Sequence, residues 1–144
     1  MSDELTGQPA GGARIRRREE MPALERGKGA RSWLFLDREQ GAEHFIAGSS
    51  TFQPGIEVPR HSHNVEEFVT VLEGAGECEI EGASYPVKPF DTTFIPAGLV
   101  HCFRNTGDTP LTILWIYGGT EVTRTFAGTG ITVRHFSPED RVGR

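Results

Sequence analysis

The sequence has 144 residues, of which 36% are hydrophobic and 24% are charged, a composition typical of one globular domain with one core. The formal net charge of −5 argues against a nucleic-acid-binding surface, and no apolar run approaches the length of a membrane span. The only two cysteines, Cys78 and Cys102, lie outside any CxxC motif, and the first twenty residues lack the apolar segment of a secretory signal. We therefore expect a cytoplasmic protein without disulfide bonds.

The N-terminal thirty residues differ from the rest of the chain in composition and charge. Residues 1–31 hold seven Lys or Arg and five Asp or Glu, whereas the remaining residues hold eight and fifteen. Gly, Ala, Pro and charged residues dominate the start, which predicts a flexible basic arm over residues 1–30. Its run RIRRREE is compatible with an anionic partner, but a solvated tail is the simpler interpretation. The segment MPALERGKG, residues 21–29, favours one helical turn that ends at its glycines.

From residue 31 onward, short apolar runs are separated by Gly, Pro, Asp and Asn, and several runs alternate with period two. No long amphipathic helix and no internal repeat interrupts them. This pattern predicts an all-β barrel or sandwich over residues 31–127, followed by a C-terminal extension over residues 128–144. The predicted strands cover residues 32–37, 43–52, 56–63, 66–74, 76–82, 83–87, 91–96, 101–106, 111–119 and 123–127.

Two of these runs are candidates for the edges of the barrel. Residues 32–36 are strongly apolar, and residues 123–126 close the series of strands. An apolar edge strand favours pairing with a second chain, so we expect a homodimer.

A cluster of polar residues stands out in the stretch PGIEVPRHSHNVEEF, residues 54–68. His61 and His63 project from one face of a strand, because residues i and i+2 point the same way. Glu66 and Glu67 follow after a short turn, and since neighbours on a strand face opposite ways, only one of them joins the histidines. His101, delivered by a separate tight turn, offers a third imidazole. The residues alone leave three readings open: a metal site, a catalytic acid–base set, or polar surface residues.

The first of two longer motifs in this sequence resembles the first motif of the cupin superfamily. That motif consists of a glycine, five residues, H-x-H, three or four residues, a glutamate, six residues and a glycine. Gly55, His61, His63, Glu67 and Gly74 meet every one of these positions.

The second motif lies further along the chain. It consists of a glycine, five residues, P-x-G, two residues, a histidine, three residues and an asparagine. Residues 96–98, His101 and Asn105 match it, and Phe90 replaces its first glycine, followed by the Asp91 that is common there. The departure concerns a turn and not a metal-binding position.

The resemblance implies a small double-stranded β-helix, or jelly-roll, barrel. It also implies that His61, His63, Glu67 and His101 bind one divalent transition-metal ion, either Fe, Mn, Ni, Zn or Co. Asn105 is then expected to hydrogen-bond a loop backbone. His44 and His135, as single histidines, are expected at the surface or in the core.

The function implied by the resemblance remains open between two main classes, and a third reading, in which the metal only stabilises the fold, is disfavoured because structural sites are usually closed zinc sites rich in Cys. Members of the superfamily include dioxygenases, decarboxylases, isomerases and cyclases, so the first hypothesis is a metal-dependent enzyme that acts on a small organic molecule in the barrel. The second is a non-catalytic small-ligand-binding or sensing protein. The sequence before residue 31 is too short and too weakly patterned for a helix-turn-helix, which argues against a nucleic-acid partner.

Alternation along the strands predicts which other side chains share the interior with the motif residues. Arg60 and Arg104 are expected to face away from the metal, and the pattern places no Lys or Arg inside. The side chains expected inside are apolar or aromatic: Phe52, Val69, Val71, Phe94, Phe103 and residues 115–117.

Overall fold

The structure, a computed structural model, describes residues 7–140. These residues form two six-stranded sheets in which every paired strand runs antiparallel to its neighbour, the arrangement of a jelly-roll barrel. Within this range the helical segments are two 3₁₀ turns, Arg18–Glu20 and Arg38–Gln40. The predicted all-β jelly-roll fold is confirmed. No helix of the described residues is long and apolar enough to cross a membrane.

Twelve strands build the two sheets. In chain order they are β1 (Ala23–Glu25), β2 (Ala30–Leu36), β3 (Ile46–Phe52), β4 (His61–His63), β5 (Glu67–Glu73), β6 (Gly76–Ile80), β7 (Ala83–Val87), β8 (Thr92–Ile95), β9 (His101–Arg104), β10 (Leu111–Tyr117), β11 (Thr123–Phe126) and β12 (Thr132–Arg134). The first sheet has the order β1-β2-β3-β10-β5-β8, and the second has the order β12-β11-β4-β9-β6-β7. Each predicted strand has a counterpart among these.

Two expectations about the ends of the barrel are wrong. The helical turn expected at residues 21–29 is instead β1 and a hairpin turn, because Arg26 and Ala30 close the hairpin through their backbones and β1 pairs with β2. Neither predicted edge strand lies at an edge: β1 covers β2, and β11 lies between β12 and β4. The edge strands are β1, β8, β12 and β7.

Both sheets include residues outside the 31–127 segment. β1 extends the first sheet on its N-terminal side, and β12 extends the second on its C-terminal side. The basic run before β1 also contacts the barrel: the Arg18 guanidinium lies 4.3 Å from the Trp33 ring centroid, and Arg16 donates to the carbonyl of Phe35 over 2.9 Å.

The turns of the two motifs explain their glycines and the one departure. Gly74 has a φ of +81°, and a Cβ at that position would collide with the carbonyl oxygen of Pro110. Phe90, which replaces a motif glycine, also adopts a positive φ, of 70°, and its side chain is 78% exposed. A tight turn from Lys88 to Asp91 holds it there. The turn is therefore retained at the cost of backbone strain.

Asn105 ties together the loop at the end of β9. Its side-chain amide donates to the carbonyls of Phe52 and Thr109, over 3.0 and 2.8 Å, and its side-chain oxygen accepts from the Gly107 backbone at 2.9 Å. The predicted structural role of Asn105 is confirmed.

Candidate metal centre

The structure brings three of the predicted histidines together in the interior. His61 and His63 lie on β4, and His101 on β9 is the direct register partner of His61. All three are at least 96% buried, and one nitrogen from each lies within 4.8 Å of the others. Three buried imidazoles at this spacing can hold a metal ion.

Backbone carbonyls orient all three rings. The Nδ1 atoms of His61, His63 and His101 lie 2.6, 2.9 and 2.9 Å from the carbonyl oxygens of residues 59, 123 and 99. Nε2 of His101 lies 3.0 Å from the Glu67 carboxylate, which can only accept a hydrogen bond. Since a carbonyl oxygen likewise only accepts, the neutral rings of His61 and His63 carry their proton on Nδ1 and present the Nε2 lone pair to the interior. This is the tautomer that a metal site with Nε2 ligands requires.

Burial also keeps two of these rings neutral. Desolvation lowers the pKa of His61 well below its ordinary value of 6.5, and the nearby Arg124 charge lowers it further. Desolvation likewise lowers the pKa of His63 to about 4, although the Glu67 carboxylate opposes this change. Because a metal binds the unprotonated imidazole, these two ligands need to lose almost no proton at neutral pH.

Glu67 reaches the histidines from the facing sheet. Its Oε1 lies 3.0 Å from Nε2 of His101 and 3.5 Å from Nε2 of His63, and the residue is 5% exposed. Burial alone would raise the pKa of this carboxyl, but His63 and His101 hold it below its ordinary value. Glu66, by contrast, is exposed, as alternation along β5 requires.

The two remaining histidines have different positions. His44 is exposed on the surface, with 90% of its side chain accessible. His135 is buried, with its ring 4.6 Å from that of Tyr117 and 6.4 Å from that of His63, and its Nδ1 has no hydrogen-bond partner among residues 7–140. Neither belongs to the group of three histidines.

A cavity of about 20 Å³ lies beside the histidines. Most of the predicted interior side chains are buried as expected, and four aromatic residues line the cavity: Phe52, Phe103, Trp115 and Tyr117. The prediction that Phe94 lies inside is wrong, because this residue is 60% exposed. The reason is its register: Phe94 pairs with Phe68 on the outer face, while the neighbouring pair, Glu67 and Ile95, faces inward.

Arg60 and Arg104 lie on the outer face, as predicted. Both bind the carboxylate of Glu79: Nη2 of Arg60 lies 2.9 Å and Nη2 of Arg104 lies 2.7 Å from its Oε1. These two hydrogen bonds lower the pKa of Glu79 to about 2. The Arg60 side chain is 56% exposed, so this group is part of the protein surface.

Sequence reasoning missed an ionic cluster in the interior. Arg26, Arg124 and Asp140 are each at least 96% buried, and both arginines line the cavity with the histidines. Asp140 Oδ1 lies 2.8 Å from Nη2 of Arg26 and 2.7 Å from Nε of Arg124. The only sequence signal for Arg124 is its alternation with Phe126 between threonines, which places both residues on one face of β11.

Fold and site together define a small jelly-roll domain with a buried cluster of imidazoles. Residues 48–117 match the family model of the cupin domain, and the chain belongs to the cupin superfamily. Among curated proteins it is 31% identical over 107 residues to Protein SchB of Streptomyces halstedii, covering 74% of this chain and 78% of that protein.

Two further proteins extend the comparison. The chain is 44% identical over 63 residues to the 5-nitrosalicylic acid 1,2-dioxygenase of a Bradyrhizobium species, a match that covers 44% of this chain and 30% of that protein. The chain therefore aligns with less than a third of that dioxygenase. Among solved structures, a sugar phosphate isomerase of the cupin superfamily from Silicibacter pomeroyi has a TM-score of 0.66 at 24% identity, covering 90% of this chain and 99% of that one. Identity at this level supports a shared fold and no more.

Proposed function

We propose that this cupin is a metal-dependent enzyme acting on a small organic molecule, with one divalent transition-metal ion held by His61, His63, Glu67 and His101. The observation that carries the proposal is the convergence of three oriented imidazoles and one buried carboxylate, three of these four residues lining one cavity. A mixed nitrogen and oxygen donor set of this kind suits Fe, Mn, Co, Ni or Zn. It also leaves coordination positions free for a substrate.

The protein's own residues supply the setting for the reaction. A divalent ion beside a single carboxylate retains a net charge near +1, and it supplies Lewis acidity toward a carbonyl, carboxylate or water oxygen, or, for iron, reactivity with dioxygen. The backbone carbonyls behind the rings keep the donor atoms aimed at the interior. The aromatic walls exclude bulk water, which strengthens every electrostatic interaction inside.

The reaction class within this proposal is an oxygenase, decarboxylase, isomerase or cyclase. The 44% identity to the nitrosalicylate dioxygenase favours the first of these for the aligned 63 residues. Because that alignment covers 30% of the dioxygenase, its activity is carried over here as a proposal and not as a finding.

A non-catalytic small-ligand-binding or sensing protein is the second candidate function. The observation that favours it is the size of the cavity, about 20 Å³, which has room for about one water molecule. A site this tight is suited to hold a very small ligand rather than to turn over a large substrate.

Metal content tests the ligand assignment. Protein purified without chelator or affinity metal is analysed for transition metals, and we expect about one ion per chain. His101→Ala and Glu67→Gln should reduce this occupancy strongly. Their matched controls, His44→Ala and Glu66→Gln, alter exposed side chains of the same types and should leave it unchanged. Full occupancy in His101→Ala would show that the ligand set is wrong.

Oxygen uptake then separates a dioxygenase from the other candidate functions. The Fe(II)-reconstituted protein is screened for oxygen consumption with phenolic and diketone compounds. Consumption that depends on both iron and compound supports a dioxygenase. Zinc or nickel in the purified protein, without oxygen uptake, would redirect the proposal to a lyase, isomerase or cyclase, and the absence of turnover with every substrate class would favour the binding protein.

A further inference from the structure

Arg124 places a positive charge beside the candidate metal centre. It lies on β11 as the register partner of His63 on β4, so the two side chains project from the same face of the second sheet. The residue is 3% exposed, and it lines the cavity together with His61, His101 and Glu67.

Two of the three nitrogens of this guanidinium, Nε and Nη1, lack a hydrogen-bond partner among the residues that the structure describes. Nε of Arg124 lies 2.7 Å from Asp140 Oδ1, but the contact lacks hydrogen-bond geometry, and neither Nε nor Nη1 has a hydrogen-bond partner among residues 7–140. A guanidinium carries five N–H donors in a planar fork, and a buried donor without a partner costs about 1–3 kcal/mol. An unsatisfied group of this kind, facing a cavity, indicates a ligand that completes it.

Arg26 already provides the hydrogen bonds that hold Asp140 in place, so Arg124 is not required for that structural role. Arg26 donates from Nη2 to Asp140 Oδ1 over 2.8 Å and from Nε to the Asp140 carbonyl over 3.1 Å, with a further contact to Ser32 at 3.4 Å. The second carboxylate oxygen of Asp140 accepts from the Phe136 backbone at 2.9 Å. The Arg26–Asp140 pair is thus hydrogen-bonded without Arg124.

The charges around the cavity point to an anion. Arg26 and Arg124 lie in the interior with two buried carboxylates, Glu67 and Asp140, and these four formal charges sum to zero. A divalent metal ion adds two positive charges to this balanced set. Buried charges in excess are costly unless they are paired, so the metal-loaded site favours a negatively charged ligand.

We infer that Arg124 binds the carboxylate of the small molecule that occupies this cavity. The planar fork of the guanidinium matches a carboxylate through two parallel hydrogen bonds, which an ammonium cannot make. The substrate class is accordingly a small carboxylate, and its binding requires the cavity of about 20 Å³ to widen, since that volume holds about one water molecule. This inference rests on the proposed function for the neighbouring metal, but the anion site itself consists of residues other than the metal ligands.

Acetate and its uncharged counterpart acetamide test the inference. Both are titrated into the zinc-loaded protein, and binding is followed through the fluorescence of Trp115, which lines the cavity, and through the NMR signals of the arginine Nε–H groups. Acetate should shift one buried arginine signal in the unmodified protein, while acetamide should not. Arg124→Gln should weaken acetate binding about tenfold to a hundredfold, because a charge-assisted hydrogen bond is lost. The same variant should leave the zinc content unchanged.

Three further variants make the test decisive. Arg124→Gln combined with Asp140→Asn removes one positive and one negative charge, so the net charge of the interior is unchanged, and the new side-chain amide oxygen can still accept from Arg26. The double variant should bind acetate as weakly as the single variant. Arg124→Lys retains the charge without the fork and should bind acetate with intermediate affinity. Arg38→Gln, at a 66% exposed arginine, should bind as the unmodified protein does.

The outcomes are separable from those of the metal experiment. Acetate affinity within threefold of the unmodified value in the double variant, or an arginine spectrum that acetate leaves unchanged, would overturn the inference. If His101→Ala kept its metal while the Arg124 variants still lost acetate binding, the ligand assignment would fail and the anion site would stand.

Discussion

Metal binding at the histidine cluster should release few protons at mildly acidic pH. The perturbation is the addition of a divalent ion to metal-free protein at pH 6. A histidine with the ordinary pKa of 6.5 is about three-quarters protonated at this pH, so an exposed pair of histidines releases about 1.5 protons when it binds a metal.

The structure predicts a much smaller number. His63, with a pKa of about 4, is about 1% protonated at pH 6, and burial lowers the pKa of His61 well below 6.5 as well. Together they release almost no proton. Even a whole proton from a third ligand keeps the total at or below about one.

Calorimetry measures this quantity directly. Titrations of Zn(II) in buffers with different ionisation enthalpies give the number of protons released from the slope of the observed enthalpy. The control is His44→Ala, which removes an exposed histidine and should leave the slope unchanged. A release of 1.5 protons or more would mean that His61 and His63 are not held neutral, and it would refute the reasoning from burial.

Four further outcomes follow from particular residues. In the metal-free protein the unfolded chain binds more protons than the folded chain between pH 6.5 and about 4, because the folded pKa of His63 is lowered. The stability that neutral His63 contributes should therefore be complete above pH 6.5 and fall by about 3 kcal/mol as pH drops through 4, and urea unfolding that showed no such fall would contradict this. Phe90→Gly should raise the free energy of unfolding by about 0.5–1 kcal/mol, since it relieves a positive φ at an exposed side chain, whereas Phe90→Ala should give no gain. Asn105→Ala should lower the free energy of unfolding by about 2–4 kcal/mol through the loss of three hydrogen bonds to backbone groups, and a loss below about 1 kcal/mol would argue against their importance. The protein should be a homodimer at micromolar concentration, since edge strand β8 carries the exposed Phe94 beside Phe68, and light scattering that gave 15.8 kDa would exclude this.

The strand order of this fold depends on contacts that local patterns do not reveal. Apolar runs and turn residues identified each strand between residues 31 and 127, because both signals act within a few residues. β1 was missed because it has three residues, and its strand conformation depends on pairing with β2. Phe94 was assigned to the wrong face because the strand's phase is set by its register with Phe68.

The candidate site, like the fold, was predicted only in part from the sequence. Spacing alone indicated His61, His63 and His101, because i and i+2 on a strand share a face and a turn delivers the third ring. The choice of Glu67 over Glu66 came from the match to the cupin motif, and the structure buries Glu67 beside two of the rings. Glu67 approaches the rings from the opposite sheet, which is a consequence of the two-sheet fold and is not specified by the motif.

The sequence by itself determined the class of fold, the strands of the barrel and a short set of candidate metal-binding residues. The tertiary structure alone decided that charged side chains share the interior with them. Arg26 and Asp140 are 114 positions apart and Arg124 lies on another strand, yet all three meet in the interior. Along the chain these charged residues look like exposed ones, because nothing in the local sequence distinguishes an arginine that will be buried. Burial is a consequence of the closed barrel, in which the cost of one buried charge is offset by another from a distant part of the chain.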